Sequence, residues 1–263
     1  MRKRLAILTS LALACPPALA QSDAGPATPA DDFLAGRSLK CEGCDLQNQD
    51  FQNGNFKRAR LSRANLAGAN FFGASLFRAN LQHADFSNAR MAGADLDKID
   101  AKWAIFKSAD LHDALMFEAD LSAADLSGAD FTSARMGNAR LTQADLRGAK
   151  LNGADLRGAR LVGARFAGAS LRSATLNQLN LREADLHGVD LTVADLIEAD
   201  LTGANLNGAQ LAGVNFMRAN LHGADLRNAN LEGANLQYAI LSDAQLEGAN
   251  LDAAILPDGK HKE

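Results

Sequence analysis

The sequence predicts an all-β solenoid: a chain that coils through short extended sides joined by tight corners. Three observations carry that prediction. Large apolar residues recur every fifth position, a small residue stands two places before each of them, and glycines gather at one phase of the same period. Composition agrees. Apolar residues make up 47% of the chain but aromatics only 5%, so the core is built from small, uniform pieces, mostly Ala and Leu.

The period runs from Leu46, Phe51, Phe56 and Leu61 in fives to Leu256 without a frame shift. Of these 43 positions, 42 hold Leu, Phe or Met, and only Ala101 departs. The residue two before is Ala at 36 of 43, the exceptions being Cys44, Gln49, Gly54, Ile99, Leu179, Val189 and Val214. Between the two lies mostly Asp or Asn, and 16 of the 22 glycines fall two places after the large residue. A helix advancing about 100° per residue would spread a five-residue repeat around every side, so no helical stripe forms. In an extended segment, residues two apart share a face, which puts the Ala and Leu positions inward together. The remaining three residues must turn a corner. Glycine at its centre suits positive φ, and Asp or Asn pointing outward can hydrogen-bond the turn backbone. Ala101 leaves a hole that the larger Ile99, two residues earlier, is placed to fill.

Runs such as Ala124-Asp125-Leu126-Ser127-Gly128 and Ala204-Asn205-Leu206-Asn207-Gly208 resemble the pentapeptide-repeat family, A-[D/N]-L-x-x, over residues 44–257. The resemblance implies a right-handed parallel β-helix with four pentapeptides per coil and a square core of Leu and Ala. The repeats would then make about 10–11 coils, a rod about 50 Å long at the usual strand spacing. Six-residue, three-sided β-helices fail on period. Gln49 and Gly54 depart from the pattern in the first coil.

Before the rod come three short elements. Residues 1–20 read as a secretory signal peptide. Arg2, Lys3 and Arg4 precede a short apolar stretch, Pro16-Pro17 breaks it, and Ala18-Leu19-Ala20 sets cleavage after Ala20. The competing expectation is a lipoprotein acylated at Cys15, the only route by which a membrane enters this reading; Ala12 stands where such sites usually carry a large aliphatic residue. Removing the leader takes the net charge from −4 to −7. Residues 21–32, rich in Ala, Pro, Ser and Asp, read as a disordered spacer. Residues 33–43 read as an N-terminal cap, with a helical turn begun by Asp31 or Asp32 and Phe33, Leu34 and Leu39 covering the first layer. Residues 258–263 form a polar tail.

Function must reside on outward positions. One corner column carries Phe77, Phe117, Ile197 and Met217 immediately after its core residues. Leu115 lies beside Phe117, and Phe72 lies one side away in the coil of Phe77. Together these six are the candidate interaction surface for a protein partner. The alternative is scattered exposed apolar residues, common on any surface. Asp185, Asp190, Asp195 and Asp200 place a carboxylate on each side of one coil, and Asp110, Asp120, Asp125 and Asp130 nearly repeat this. Some members of the family mimic DNA in this manner and protect DNA gyrase, a type II topoisomerase. Against that stand Arg135, Arg140, Lys150, Arg160 and Arg165 in mid-rod, an uninterrupted frame and the export signal, while Asp also serves the repeat as its ordinary turn residue. Carboxylates one coil apart, such as Asp100 and Asp120, repel by about 1 kcal/mol in water, tolerable without a metal.

Cys41 and Cys44 are placed to join as a disulfide in an oxidising compartment, or else to fill the first layer as small apolar residues. No His follows them for haem attachment, and no second pair offers zinc ligands. His83, His112, His187, His222 and His261 are scattered outward, sharing no motif with a nucleophile, and no phosphate loop is present. No catalytic residue, cofactor or metal is expected, and the balance of charge argues against nucleic acid as partner. The sequence thus predicts a non-catalytic scaffold in the bacterial periplasm or outside the cell. Its coil ends offer ladder edges through which a homodimer would form, unless Pro257 and the charged tail block the C-terminal one.

Overall fold

Each five-residue repeat has five backbone N–H groups, and its architecture follows from where they go. Take the repeat Leu66–Asn70 in the computed structural model, which describes residues 27–262. Leu66 and Gly68 donate up one coil to Asp85 and Ser87 carbonyls, at 2.7 and 2.8 Å. Asn70 donates down to Gln49 at 2.9 Å, and Ala69 closes the corner on Leu66 at 3.0 Å. The fifth, Ala67, donates to the Asn65 side-chain oxygen at 3.3 Å. That last bond explains the Asp or Asn in the middle of each side: its Oδ1 takes the one turn N–H that no carbonyl reaches.

Every parallel bridge joins residues twenty apart, from Lys40–Arg60 to Asn235–Ile255, so four pentapeptides complete each coil of a right-handed β-helix. Leu- and Ala-phase residues from Ala59 to Leu236 are buried, with Ala184 the partly covered exception. The residue two places after the large one has positive φ in every repeat from Gly43 to Ala253. Non-glycine residues occupy 26 of these corners, including Arg63 at 59° and Trp103 at 57°. The glycine signal in the sequence therefore marks fewer than half of the corners that need this conformation; the ladder imposes it on the rest.

Both ends depart from the sequence reading. Helix α1 spans Pro29–Leu34 and starts inside the expected spacer. Its N-cap is Thr28, in a reciprocal capping box with Asp31, so neither Asp31 nor Asp32 begins it. Phe33 is buried against Phe51 and Phe56, with ring centroids 5.8 and 5.5 Å away. Leu39 does not cover the first layer. It is 43% exposed although it holds the inward small-residue phase two before Cys41, because the ladder has already begun at Lys40 and Leu39 lies on its first rung, with no coil beneath it. The rod thus starts within the stretch 33–43 assigned to the cap. At the far end the tail folds back as a hairpin: Ile255 bridges His261 antiparallel, and Leu256 N–H donates to Lys260 O at 2.7 Å. One side of the last coil is covered in this way; Leu241, Leu246 and Leu251 remain partly exposed. The expected leader with cleavage after Ala20, Cys15 and the first part of the spacer lie outside the described residues. No helix among the described residues is long and apolar enough to cross a membrane.

Candidate interaction surface

The corner singled out in the sequence reads, one residue per coil, Phe77, Asp97, Phe117, Gly137, Arg157, Asn177, Ile197, Met217. The structure divides it. Phe77 is half-buried with the Arg78 guanidinium 5.2 Å from its ring centre, and the Asp97 carboxylate stands between it and Phe117. Phe72 is exposed on the neighbouring corner. Ile197 and Met217 are half-buried on adjacent coils. The six residues therefore do not make one apolar patch, because polar residues of the intervening coils interrupt the column.

What the corner does hold is a concavity of about 530 Å³ floored by Leu115, Phe117 and Gly137 and walled by Asp97, Arg135 and Arg157. Phe117 is 40% exposed and fixed from three directions. Its N–H donates to Asp97 Oδ1 at 2.7 Å, Lys98 Nζ lies 5.8 Å from its ring centre, and its ring edge sits where a Cβ on Gly137 would be 3.4 Å away. Burial pushes the Asp97 carboxyl above its ordinary range, against the lowering effect of the Phe117 N–H. Arg157 is held by Asp155, Nη2 to Oδ2 at 2.6 Å, whereas no ion pair to Arg135 is found among the described residues. A second hollow of about 350 Å³ carries Arg140 and Arg160 and meets the first at Asn138 and Gly158. Sequence reasoning missed Gly137. The signal was present: it is the sole glycine directly after a large core residue in the whole repeat.

Other exposed apolar groups lie outside the candidate surface. Trp103, half exposed, stacks on His83 at 5.0 Å. Ile105 and Ile240 replace Asp or Asn in mid-side, as Leu115 does.

The acidic rings are engaged in the turns. Asp190 accepts from Thr192 N and Oγ1 at 3.0 and 2.6 Å and from Arg172 at 3.0 Å; Asp200 does the same with Thr202 and Arg182. Burial works to raise both carboxyls, but these donors outweigh it and hold them below the ordinary range. Asp195 differs, since Ile197 N–H donates to Asn177 instead, leaving Asp195 Oδ1 without a partner. At the N-terminal end Cys41 and Cys44 are joined as a disulfide.

A filled four-sided solenoid with its variable side chains all outward defines a class of structural or binding protein. The chain belongs to the pentapeptide-repeat family, whose profile matches as eight copies of "Pentapeptide repeats" spread over residues 40–258. Among solved structures it is similar to HetL, a pentapeptide repeat protein involved in heterocyst differentiation regulation from the cyanobacterium Nostoc sp. strain PCC 7120. That likeness has 29% identity, covers 89% of this chain and 97% of HetL, and gives a TM-score of 0.37. It is also similar to QnrB1, a plasmid-mediated fluoroquinolone resistance protein, with 20% identity, 81% and 92% coverage and a TM-score of 0.44. A third likeness is to a pentapeptide repeat protein from the Arabidopsis thaliana thylakoid lumen, with 27% identity, 48% and 77% coverage and a TM-score of 0.30. No curated protein matches the chain.

Proposed function

We propose that the protein is an exported, non-catalytic scaffold whose partner protein docks at the concavity around Phe117. The single observation that supports this reading is the combination there of an anchored, part-exposed aromatic ring, a glycine notch and an arginine free of any ion pair among the described residues. Interfaces concentrate their energy on such aromatic and arginine anchors. Export to the periplasm or beyond the cell rests on the basic n-region and the Ala18-Leu19-Ala20 cleavage pattern, with anchorage at Cys15 the alternative. A homodimer through the C-terminal coil is compatible with the three sides that the tail hairpin leaves uncovered.

The alternative, a DNA mimic that binds and protects gyrase, draws on the carboxylates around Asp185–Asp200. It is weakened by their engagement in turn hydrogen bonds and by the arginines of mid-rod. The test is affinity capture from fractionated native host with the wild type and F117S. Loss of one periplasmic or extracellular partner in F117S supports the scaffold. A cytoplasmic, uncleaved chain retaining gyrase in both forms sinks it. Light scattering of the purified chain at high concentration checks the dimer.

A further inference from the structure

The bridge ladder runs unbroken along the described rod except at one junction. The bridges that should pair Arg160 with Asn180 and Arg165 with Asp185 are missing, on two adjacent sides of the same coil. Seven backbone bonds are absent there. Asn180 and Asp185 N–H do not reach the Ala159 and Ala164 carbonyls, and Leu161 and Phe166 N–H do not reach Asn180 and Asp185. The corner N–H groups of Gly158, Gly163 and Gly168 likewise lack their partners one coil up. The other two sides hold: Leu156 N–H donates to Thr175 O at 2.9 Å and Leu171 N–H to Asp190 O at 2.7 Å, while Asp190 N–H to Ala169 O is lengthened to 3.4 Å. The gap is widest in missing bonds around the Val162–Gly163 corner, diagonally opposite the intact corner at Leu171–Ala174.

The cause lies in the core. Leu179 occupies the small-residue slot, with Ala159 one coil below and Ala199 one coil above, and it is only 2% exposed. Its bulk also stretches its own corner bond, Leu179 N–H to Leu176 O, to 3.4 Å. Ile99 is the control. It too is oversized and stretches its corner bond to 3.4 Å, yet its ladder stays closed, with Leu81 N–H to Asp100 O at 2.7 Å and Asp100 N–H to Ala79 O at 3.0 Å. The difference is two residues on: Ala101 vacates the volume that Ile99 fills, whereas Leu181 stands after Leu179 at full size. Overpacking that cannot relax inside a layer pushes layers apart.

We propose that this junction is a hinge: the two halves of the rod tilt about the Leu171–Ala174 corner, opening and closing the opposite one at Val162–Gly163, with uncompensated Leu179 as the wedge. Hydrogen exchange on the full chain reads the opening directly. Amides of Leu161, Gly163, Phe166, Asn180 and Asp185 should exchange at least about tenfold faster than their equivalents one coil below and one coil above. L179A, and separately L179I/L181A, which copies the Ile99–Ala101 pairing, should restore uniform protection. Two spin-label pairs then separate motion from a static break. Labels at Thr142 and His222 span the junction, and labels at Ser62 and Thr142 are equally spaced below it. The hinge requires a broader distance distribution for the first pair, narrowing in L179A. Uniform exchange in the wild type, exchange unchanged in both variants, or equally narrow distributions would each overturn the proposal.

Discussion

Asp100 and Asp120, one coil apart on the same side of the rod, share a single ammonium group: Lys102 Nζ lies 3.2 Å from each carboxylate. The repulsion expected between stacked acids is thereby turned into a clamp between coils. Burial acts to lower Lys102, but the two carboxylates win and hold it above its ordinary range. For Asp120 burial acts to raise the carboxyl, yet Ser122 and Lys102 hold it low. K102M should cost about 1–2 kcal/mol, because the nearly buried Asp120 loses its nearest cation and keeps only Ser122 and the more distant Arg140, 3.5 Å away. K107M, at an exposed lysine, should stay within about 0.5 kcal/mol. Calorimetric Tm values check both. The K102M deficit should shrink as pH falls through the folded pKa of Asp120, since the neutral acid needs no cation.

Acid should be the rod's weak condition. The Arg227 side chain, with its backbone N–H, holds Asp225 at about 2, and Arg147 and Arg157 lower Asp145 and Asp155 in the same way. A carboxyl whose folded pKa lies below its unfolded value stabilises the fold above the unfolded value and loses that contribution as pH falls through the folded one. Tm should therefore change little from pH 7 to 5 and drop steeply between about 4 and 2. D225N keeps the turn acceptor and should flatten part of that drop. His112 has the opposite sign, since its hydrogen bond with Asp110 raises it. Its contribution is complete below its unfolded pKa and fades as pH rises through the folded one.

Gly54 stands in the small-residue slot for a reason that the repeat pattern does not state. A Cβ there would come within 2.8 Å of Phe56 Cζ and 2.9 Å of the Phe51 carbonyl oxygen. The volume is taken by the aromatic stack that seats Phe33. G54A should therefore destabilise by about 1–3 kcal/mol, even though Ala is the consensus at this position. Urea unfolding and near-ultraviolet circular dichroism will show it. A more stable variant would mean that Phe56 is free to move aside.

The Cys41–Cys44 disulfide closes a loop of only four residues, so the loop-entropy argument gives about 2 kcal/mol. Reduction or C44S should loosen the first coil and α1, which pack on it, and leave the distant coils untouched. Hydrogen exchange localises the effect. Intact mass, lighter by the two thiol hydrogens in the native protein, verifies the bond.

Much of this protein is legible in its period. The solenoid, its inward Leu and Ala, the outward Asx and the compensation between Ile99 and Ala101 all follow from residue size at fixed spacing, because each repeat meets the same neighbours as the last. The sequence also marked Phe117 and Leu115, although it joined them to Phe72, Phe77, Ile197 and Met217 in a patch that Asp97 and Arg157 interrupt. Positions count along the chain; a surface depends on which side chains fill the coils between them.

Tertiary structure decided the rest, wherever one coil's fit depends on the next. Lys102 reaches two carboxylates only because residues twenty apart stack. Gly137 matters through the Phe117 ring beneath it, and Gly54 through Phe56 beside it. Leu179 is one conservative letter in the repeat, yet it opens two sides of a coil because nothing in its layer gives way. A local pattern fixes which residues point inward. Whether their volumes close each layer is a property of the assembled core.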